Sequence, residues 1–309
     1  RFERDLGANI EQLHAELRGG SYAPQPYRQF WVPSGGKDRL IAAPAFRDVV
    51  IQHAIYREVL PIFERTWIDQ SHGCRPGYGI HSARDQLQRY MRQSPAGSYT
   101  LQMDIRKFYY RLDRSVLMDM LAAKIKDQRV LRLMAAFAER DEPLGVPIGN
   151  LLSQLYGLIY LNPLDHWIKR DVKARRYIRY VDDFAVIGLS LDEAHDTLAR
   201  TRSFLAERLG LELSKWRIEP MRNGMNFCGY RVWASRRFVR KHSLATFSRS
   251  LKRGDTRSLC ALMGHAQGTA TAAHYRRRIR AERPDLLPHL PEILRGGHDA
   301  HDLPLYAER

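Results

Sequence analysis

Three aspartates carry the chemistry open to this chain: Asp104, which closes the alternating stretch Tyr99-Thr100-Leu101-Gln102-Met103-Asp104, and the adjacent pair Asp182-Asp183. Carboxylates are hard oxygen donors, and Mg²⁺ binds through one or two of them while keeping the rest of its shell for water and substrate phosphates. Three acids can therefore hold two ions about 3.5–4 Å apart, which stabilise both the attacking and the leaving oxygen of an in-line displacement at phosphorus. That is metal-assisted nucleotidyl transfer. An Asp-Asp pair equally suits a β-turn that binds nothing, because Asp favours turns. Positions 104 and 182 are 78 residues apart, so only a sheet that lays their strands side by side unites them.

The elements needed for this are readable. Period-2 alternation over Ser98 to Asp104 predicts a half-buried strand with Asp104 near its end. Tyr177 to Val181 and Phe184 to Leu189 read as two strands joined at Asp182-Asp183, a hairpin with acids at its tip. A loop punctuated by Gly and Pro, Leu144 to Asn150, leads into a long helix reaching about Lys169. Upstream, Ile10, Leu13 and Leu17 mark a helix stopped by Gly19-Gly20. Tyr27 to Ile41 reads as strand, Ser34-Gly35-Gly36 turn and strand, with Lys37 and Arg39 beside the turn. Helices are expected over 46 to 60, about Ser82 to Met91, and in two pieces over 114 to 139. Ala194, Leu198, Leu205 and Leu209 mark one further helix face, and Leu211 to Leu213 and Asn226 to Trp233 suggest short strands. From about 244 the chain reads as helical and basic, with Arg249, Lys252, Arg253, Arg257 and the run Arg276-Arg277-Arg278.

Composition narrows the partners. With 309 residues the chain is long enough for a sizeable core. Fifty Lys and Arg against 34 Asp and Glu give a formal charge of +16 and a pI near 10.0, which favours a polyanion. Cys74, Cys228 and Cys260 form no CxxC pair, so neither a disulfide framework nor a zinc knuckle is indicated, and a reducing cytoplasm fits. No apolar run reaches the roughly 18 residues of a membrane span, and no signal peptide is evident. Arg1 stands inside an apparently helical run, so the native N-terminus is expected upstream.

Tyr180-Val181-Asp182-Asp183, flanked by apolar strands, resembles the YxDD box of reverse transcriptases, and Met103 to Tyr109 resembles their first catalytic motif. The similarity runs in order from about Tyr27 to Trp233. It implies an α+β right-hand polymerase: an N-terminal helix and fingers over 1–98, a palm over 99–235 with a helical fingers insertion around 113–147, and a basic helical thumb over 236–309. It implies two Mg²⁺ ions, with Mn²⁺ as a substitute, held by Asp104, Asp182, Asp183 and the Ile105 backbone carbonyl. Gly36 to Ile41 looks like the fingers hairpin whose Lys37 and Arg39 meet the triphosphate of a dNTP, although both equally suit a solvated turn. Ser71 to Gly79 resembles the Gly-rich block beside the template backbone, and Gly-rich turns without any ligand are just as frequent. Tyr109 falls where the family carries an aromatic that excludes a ribose 2′ hydroxyl, with Phe108 and Tyr110 as competitors for that place. Phe227, Cys228, Gly229 and Tyr230 match the primer grip. Lys215 suits the general acid that protonates pyrophosphate, or is a plain surface lysine.

The block before the long helix departs from most relatives. Where they have Gln-Gly, this chain has Ile148-Gly149, followed by Ser153-Gln154, which is similar to the enzymes of diversity-generating retroelements, as are Tyr160 to Asp165 and Gly264 to Gln267. That resemblance implies copying of a template RNA with errors at adenines, for targeted gene diversification (mutagenic retrohoming) in a bacterial or phage-infected cell. It also implies a small basic oligomeric accessory protein beside the template RNA and the RNA/cDNA duplex. Ile148 in place of a hydrogen-bonding Gln removes a polar restraint on the nascent pair, or only packs the loop. The alternatives are an antiphage, retron-like or intron-type reverse transcriptase, and a non-catalytic RNA-binding scaffold with a polymerase fold. No separate RNase H domain is expected.

Overall fold

Helical and period-2 stretches alternate irregularly along the chain, the pattern of an α+β fold. The computed structural model describes residues 2–34 and 37–291. First come α1 (Leu6–Gly19), the antiparallel ribbon β1 (Arg28–Ser34) and β2 (Lys37–Ala43), α2 (Phe46–Glu64) and α3 (Ile80–Arg92). Then follow β3 (Tyr99–Ile105), α4 (Phe108–Arg111), α5 (Arg114–Ala122), α6 (Gln128–Ala138) and α7 (Leu151–Arg170). The hairpin of β4 (Tyr177–Tyr180) and β5 (Asp183–Leu189) precedes α8 (Leu191–Leu209) and β6 (Leu213–Pro220). Three short strands, β7 (Met225–Phe227), β8 (Tyr230–Val232) and β9 (Arg237–Val239), and the helices α9 (Lys241–Arg253), α10 (Thr256–Ala266) and α11 (Ala270–Glu282) complete the described elements. Gly35 and Gly36 of the expected turn lie outside the described residues, as does the side chain of Lys37. No helix among the described residues is long and apolar enough to cross a membrane.

The chain falls into two compact units. The first comprises Arg1–Gly79, Leu101–Val186 and Leu191–Ile218; the second comprises Ile80–Thr100, Ile187–Ser190 and Glu219–Arg309.

In the first unit the helix α7 is apolar on nearly every face, and it is buried accordingly: Leu152, Leu155, Tyr156, Ile159, Tyr160, Leu161, Leu164 and Ile168 are all enclosed. Its phenols do not strand polar atoms, because Tyr156 donates to the Met134 carbonyl (2.7 Å) and Tyr160 to the Leu209 carbonyl (2.7 Å). The four-stranded sheet has the order β4-β5-β3-β6, so β3 and β5 are neighbours. Ala194, Leu198, Leu205 and Leu209 are buried from α8, as their spacing predicts. The start of α7 is set by Asn150, whose side chain accepts from the Ser153 N–H (2.7 Å) and donates to the Tyr27 hydroxyl (3.0 Å).

The hairpin and the next strand differ from expectation. The loop between β4 and β5 is Val181-Asp182, and Asp183 already belongs to β5, opposite Tyr180. Strand β6 runs well past the expected Leu211 to Leu213. It is an edge strand whose Ser214 to Arg217 are exposed, so it carries no burial alternation to read. Strand β9, three residues long, left no periodic signal at all.

In the second unit, β7, β8 and β9 form an antiparallel sheet. Phe247 and Tyr275 stack at 3.7 Å between α9 and α11.

Removal of the α7 cap tests this account. Asn150→Ala is expected to lower the unfolding free energy by about 1–2 kcal/mol in equilibrium denaturation, through the lost cap and the lost amide donor to the Tyr27 hydroxyl, which keeps its own bond to the Phe137 carbonyl (3.0 Å).

Candidate active site

Strand neighbourhood brings the three acids together. Asp104 lies one residue from the end of β3, Asp182 in the loop and Asp183 at the first position of the adjoining β5. The loop is tied across: the Ile105 N–H donates to the Asp182 carbonyl (3.2 Å). Each carboxylate is half-buried rather than sealed. Burial, then the neighbouring Asp104, pushes the Asp182 carboxyl above its usual range. Asp183 is pushed up to about 7, by burial first and by Asp104 and Asp182 after it. Gathering acids in a partly dry place costs free energy unless positive charge arrives.

Nearby side chains supply part of that charge. Gln102 donates to Asp183 (2.8 and 3.2 Å), and the Ser214 hydroxyl donates to Asp104. The Lys215 ammonium is 3.8 Å from Asp104, although the Lys215 side chain remains 75% exposed. Arg39, exposed on β2, is within electrostatic reach of Asp182. Among the described residues no three His, Cys, Asp or Glu side chains stand close enough to share one ion. The donor set is thus all hard oxygen, in a field that favours a cation. Asp104, Asp182 and Asp183 would hold divalent ions whose chemistry is charge stabilisation at the attacking and leaving oxygens.

The three aromatics after Asp104 separate clearly. Phe108 is 2% exposed and packs with Tyr160 in the core (6.5 Å between ring centroids), and Tyr110 lies under the Arg140 guanidinium (4.9 Å). Tyr109 is half-buried, its phenol pushed up by burial and then by Cys74 and Asp182. Its phenol is within electrostatic reach of Asp182. Close packing on α7 needs Gly157, where an added Cβ would stand 3.0 Å from the Phe108 ring and 3.2 Å from the Tyr109 ring and hydroxyl.

Ile148 and Gly149 sit against the ribbon. The Ile148 carbonyl accepts from the Ala42 N–H (2.7 Å), and Gly149 has φ +116° with room for no side chain, since a Cβ would meet Ile41 Cγ2 at 2.7 Å. Asn150 and Ser153 of the same block are explained by capping, and Ser153 also donates to the Pro147 carbonyl. Gln154 is exposed.

Phe227 to Tyr230 belong to the second unit. They form the β7–β8 turn, with left-handed Cys228 (φ 48°) and Gly229 (φ 87°). A Cβ at Gly229 would touch His265 at 3.0 Å. The Tyr230 ring stacks on His265 (4.5 Å), and its hydroxyl donates to the His265 carbonyl (2.7 Å). Arg278, part of the basic run, is committed within the chain to Glu282 and Ser248.

Some members of the site were not singled out in the sequence. Gln102 stands two positions before Asp104 on one strand, so the period of 2 places both on one face and was a usable signal. Ser214 had none, because it arrives from an irregular edge strand.

An α+β chain with an acid pair on a hairpin beside a third strand-borne acid has the polymerase fold. Solved structures agree: telomerase from Candida albicans with a fragment of telomeric RNA superposes with a TM-score of 0.57 at 11% identity, covering 86% of this chain and 55% of that one. Telomerase from Candida tropicalis gives 0.55 at 13%, covering 91% and 56%. At such identities the likeness concerns the fold alone. The profile of the reverse transcriptase (RNA-dependent DNA polymerase) family matches residues 33–232, and the chain belongs to that family. Among curated relatives, protein YkfC of Escherichia coli is 25% identical over 307 residues, covering 84% of this chain and 80% of its own length. The group II intron-encoded protein LtrA of Lactococcus lactis is 29% identical over 170 residues, which is 52% of this chain but 28% of LtrA. The chain therefore corresponds to about a quarter of LtrA and about half of the telomerase chains.

The raised Asp183 carboxyl has a consequence for stability. A folded value near 7, against about 4 unfolded, means that the folded chain holds this proton more tightly, so stability is lost as pH rises from about 4 through 7. Asp183→Asn is expected to stabilise the metal-free protein at pH 8 by on the order of 1 kcal/mol and hardly at pH 4.5, measured by urea unfolding in EDTA. An equal effect at both pH values would refute this origin.

Proposed function

We propose that this chain copies a template RNA into cDNA by two-metal nucleotidyl transfer on Asp104, Asp182 and Asp183. The observation that carries the reading is the junction of β3 with the β4–β5 hairpin, where the acids meet Gln102, Ser214 and Lys215. Asp182 and Asp183 are the ligands that burial and mutual repulsion leave most in need of cations, with Asp104 and the Ile105 carbonyl completing the set. Arg39, with Lys37, receives the triphosphate of the dNTP. Lys215 stands beside Asp104, where a cation can return a proton to pyrophosphate. Tyr109 closes the sugar side against a 2′ hydroxyl. Residues 227 to 230 hold the primer end, and the basic helices α9 to α11 grip the duplex through phosphates, which makes binding salt-dependent.

The finer reading is diversification of a target gene with errors at template adenines, assisted by a small basic accessory protein. It rests on Ile148. Asn150 and Ser153 have a sufficient structural reason, so the absence of a Gln amide at 148 is the part of the block that bears on base selection. A second reading, an intron-type enzyme, is favoured by the similarity to LtrA.

Three measurements decide among these. Asp182→Ala is expected to abolish cDNA synthesis while leaving RNA affinity within about twofold, and a synthesising variant would reduce the chain to a scaffold. Tyr109→Ala should raise rNTP relative to dNTP incorporation by about tenfold or more, equivalent to about 1.4 kcal/mol of lost discrimination. For the finer reading, cDNA made by Ile148→Gln is sequenced against wild type; an unchanged error frequency at template adenines speaks for the intron-type alternative.

A further inference from the structure

The loop that carries the acids is under backbone constraint. Tyr180 and Asp183 pair across a two-residue loop in which Val181 has φ 56° and Asp182 is not among the positive-φ residues, as in a type II′ turn. Glycine is the residue for that first loop position, and a β-branched side chain there is an outlier. Such a conformation persists only where the surroundings over-determine it.

The surroundings do so through one buried charge. Arg179 is 1% exposed and Asp165, on α7, is fully buried. The guanidinium donates to both carboxylate oxygens of Asp165 (2.7 and 2.5 Å), and its remaining arm donates to the Val181 carbonyl (3.0 Å). Tyr177 also donates to Asp165 (2.7 Å). The Arg179 backbone is held as well, with its N–H on the Gln70 carbonyl and its carbonyl receiving the His72 N–H, both 2.9 Å. Gly73 lies against the loop so closely that an added Cβ would meet Val181 Cγ2 at 2.6 Å and its nitrogen at 2.7 Å. A buried ion pair is a poor stabiliser compared with an apolar pair of equal volume, so stability alone does not explain it.

We propose that the Asp165–Arg179 pair is a positioning device that anchors the Val181 loop to α7 and so sets the angle at which Asp182 and Asp183 present their oxygens to the metal ions. It rests on the two-metal reading above. Arg179 touches no substrate in this account and acts only through the loop. Lysine does not replace it, because one ammonium lacks the planar fork that binds a carboxylate with two arms and a carbonyl with a third.

The full chain carrying Arg179→Lys, Asp165→Leu/Arg179→Met, or Arg179→Lys with Val181→Gly is compared with wild type. The assays are Mn²⁺ binding by electron paramagnetic resonance without nucleic acid, single-nucleotide extension, and thermal unfolding. Arg179→Lys is expected to weaken Mn²⁺ binding by about tenfold, the usual cost of removing support behind a metal ligand. The turnover kcat should fall by about 30-fold while KM for dNTP stays within about threefold, as misplacement of reacting groups predicts. Val181→Gly, which adopts the turn without strain, should restore a substantial part of both losses. The Leu/Met pair keeps the buried volume but leaves the Tyr177 hydroxyl without its acceptor, so it should melt within about 10 °C of wild type, and it should show the same losses. Wild-type Mn²⁺ binding and kcat in the Leu/Met variant, or no recovery with Val181→Gly, would overturn the proposal. If wild type makes no cDNA, the polymerase reading fails, and the Mn²⁺ isotherms still decide the positioning role.

Discussion

Like charges brought close in a place that water only half reaches are the constraint on which this structure turns. Asp182 and Asp183 are consecutive, Asp104 is on the next strand, and burial raises the carboxyls of the first two. Left alone, such a group would protonate or splay apart. What surrounds it answers that tendency: amide and hydroxyl donors on Asp183 and Asp104, a lysine beside Asp104, and an arginine on β2 in reach of Asp182. Even so, the carboxyls of Asp182 and Asp183 stay above their usual range, and incomplete compensation of this kind leaves a field that favours a cation.

The rest of the first unit acts as a frame for that cluster, and α7 is its centre. Three features of one helix serve three parts of the site. Asn150 starts it at a defined point and, through Tyr27, ties that start to the segment leading into β1. Gly157 lets both Phe108 and Tyr109 lie close against the helix, with contacts at 3.0 and 3.2 Å from where a Cβ would stand. Asp165, a full buried charge in an apolar helix, is satisfied by Arg179 and Tyr177 of β4. A single enclosed element thus refers the aromatic and the acid-bearing turn to the same origin. Helices with side chains packed on every face are the least able to shift independently.

Much of this was legible beforehand, for reasons that differ by residue. Asp104 stood out because alternation over six residues predicts a strand, and Asp182-Asp183 because apolar segments flank a turn-forming pair. Helix α8 was readable from four apolar residues at helical spacing, all of them buried. Strand β6 was under-read because an exposed edge strand loses the burial alternation on which strand reading depends. Phe108, Tyr109 and Tyr110 were indistinguishable, since three consecutive aromatics carry no periodic label. Their separation came from Tyr160 against Phe108 and Arg140 over Tyr110, partners about 50 and 30 positions away. The Ile148 to Gln154 block looked like one motif and divided into a backbone contact, a packing glycine, a helix cap and an exposed amide.

By itself, then, the sequence determined the local choices: which stretches become helix or strand, where glycines permit a turn, and which three acids could serve one chemistry. These follow from side-chain period and backbone sterics, which act over a few residues. Tertiary structure alone decided which side chains share a neighbourhood: that Gln102 and Ser214 hold the acids, that Tyr109 is the aromatic beside them, and that Arg179 reaches the Val181 carbonyl. Such pairings depend on strand order and on burial, where charge is costly and must find its partner across the fold. No local pattern encodes the partner.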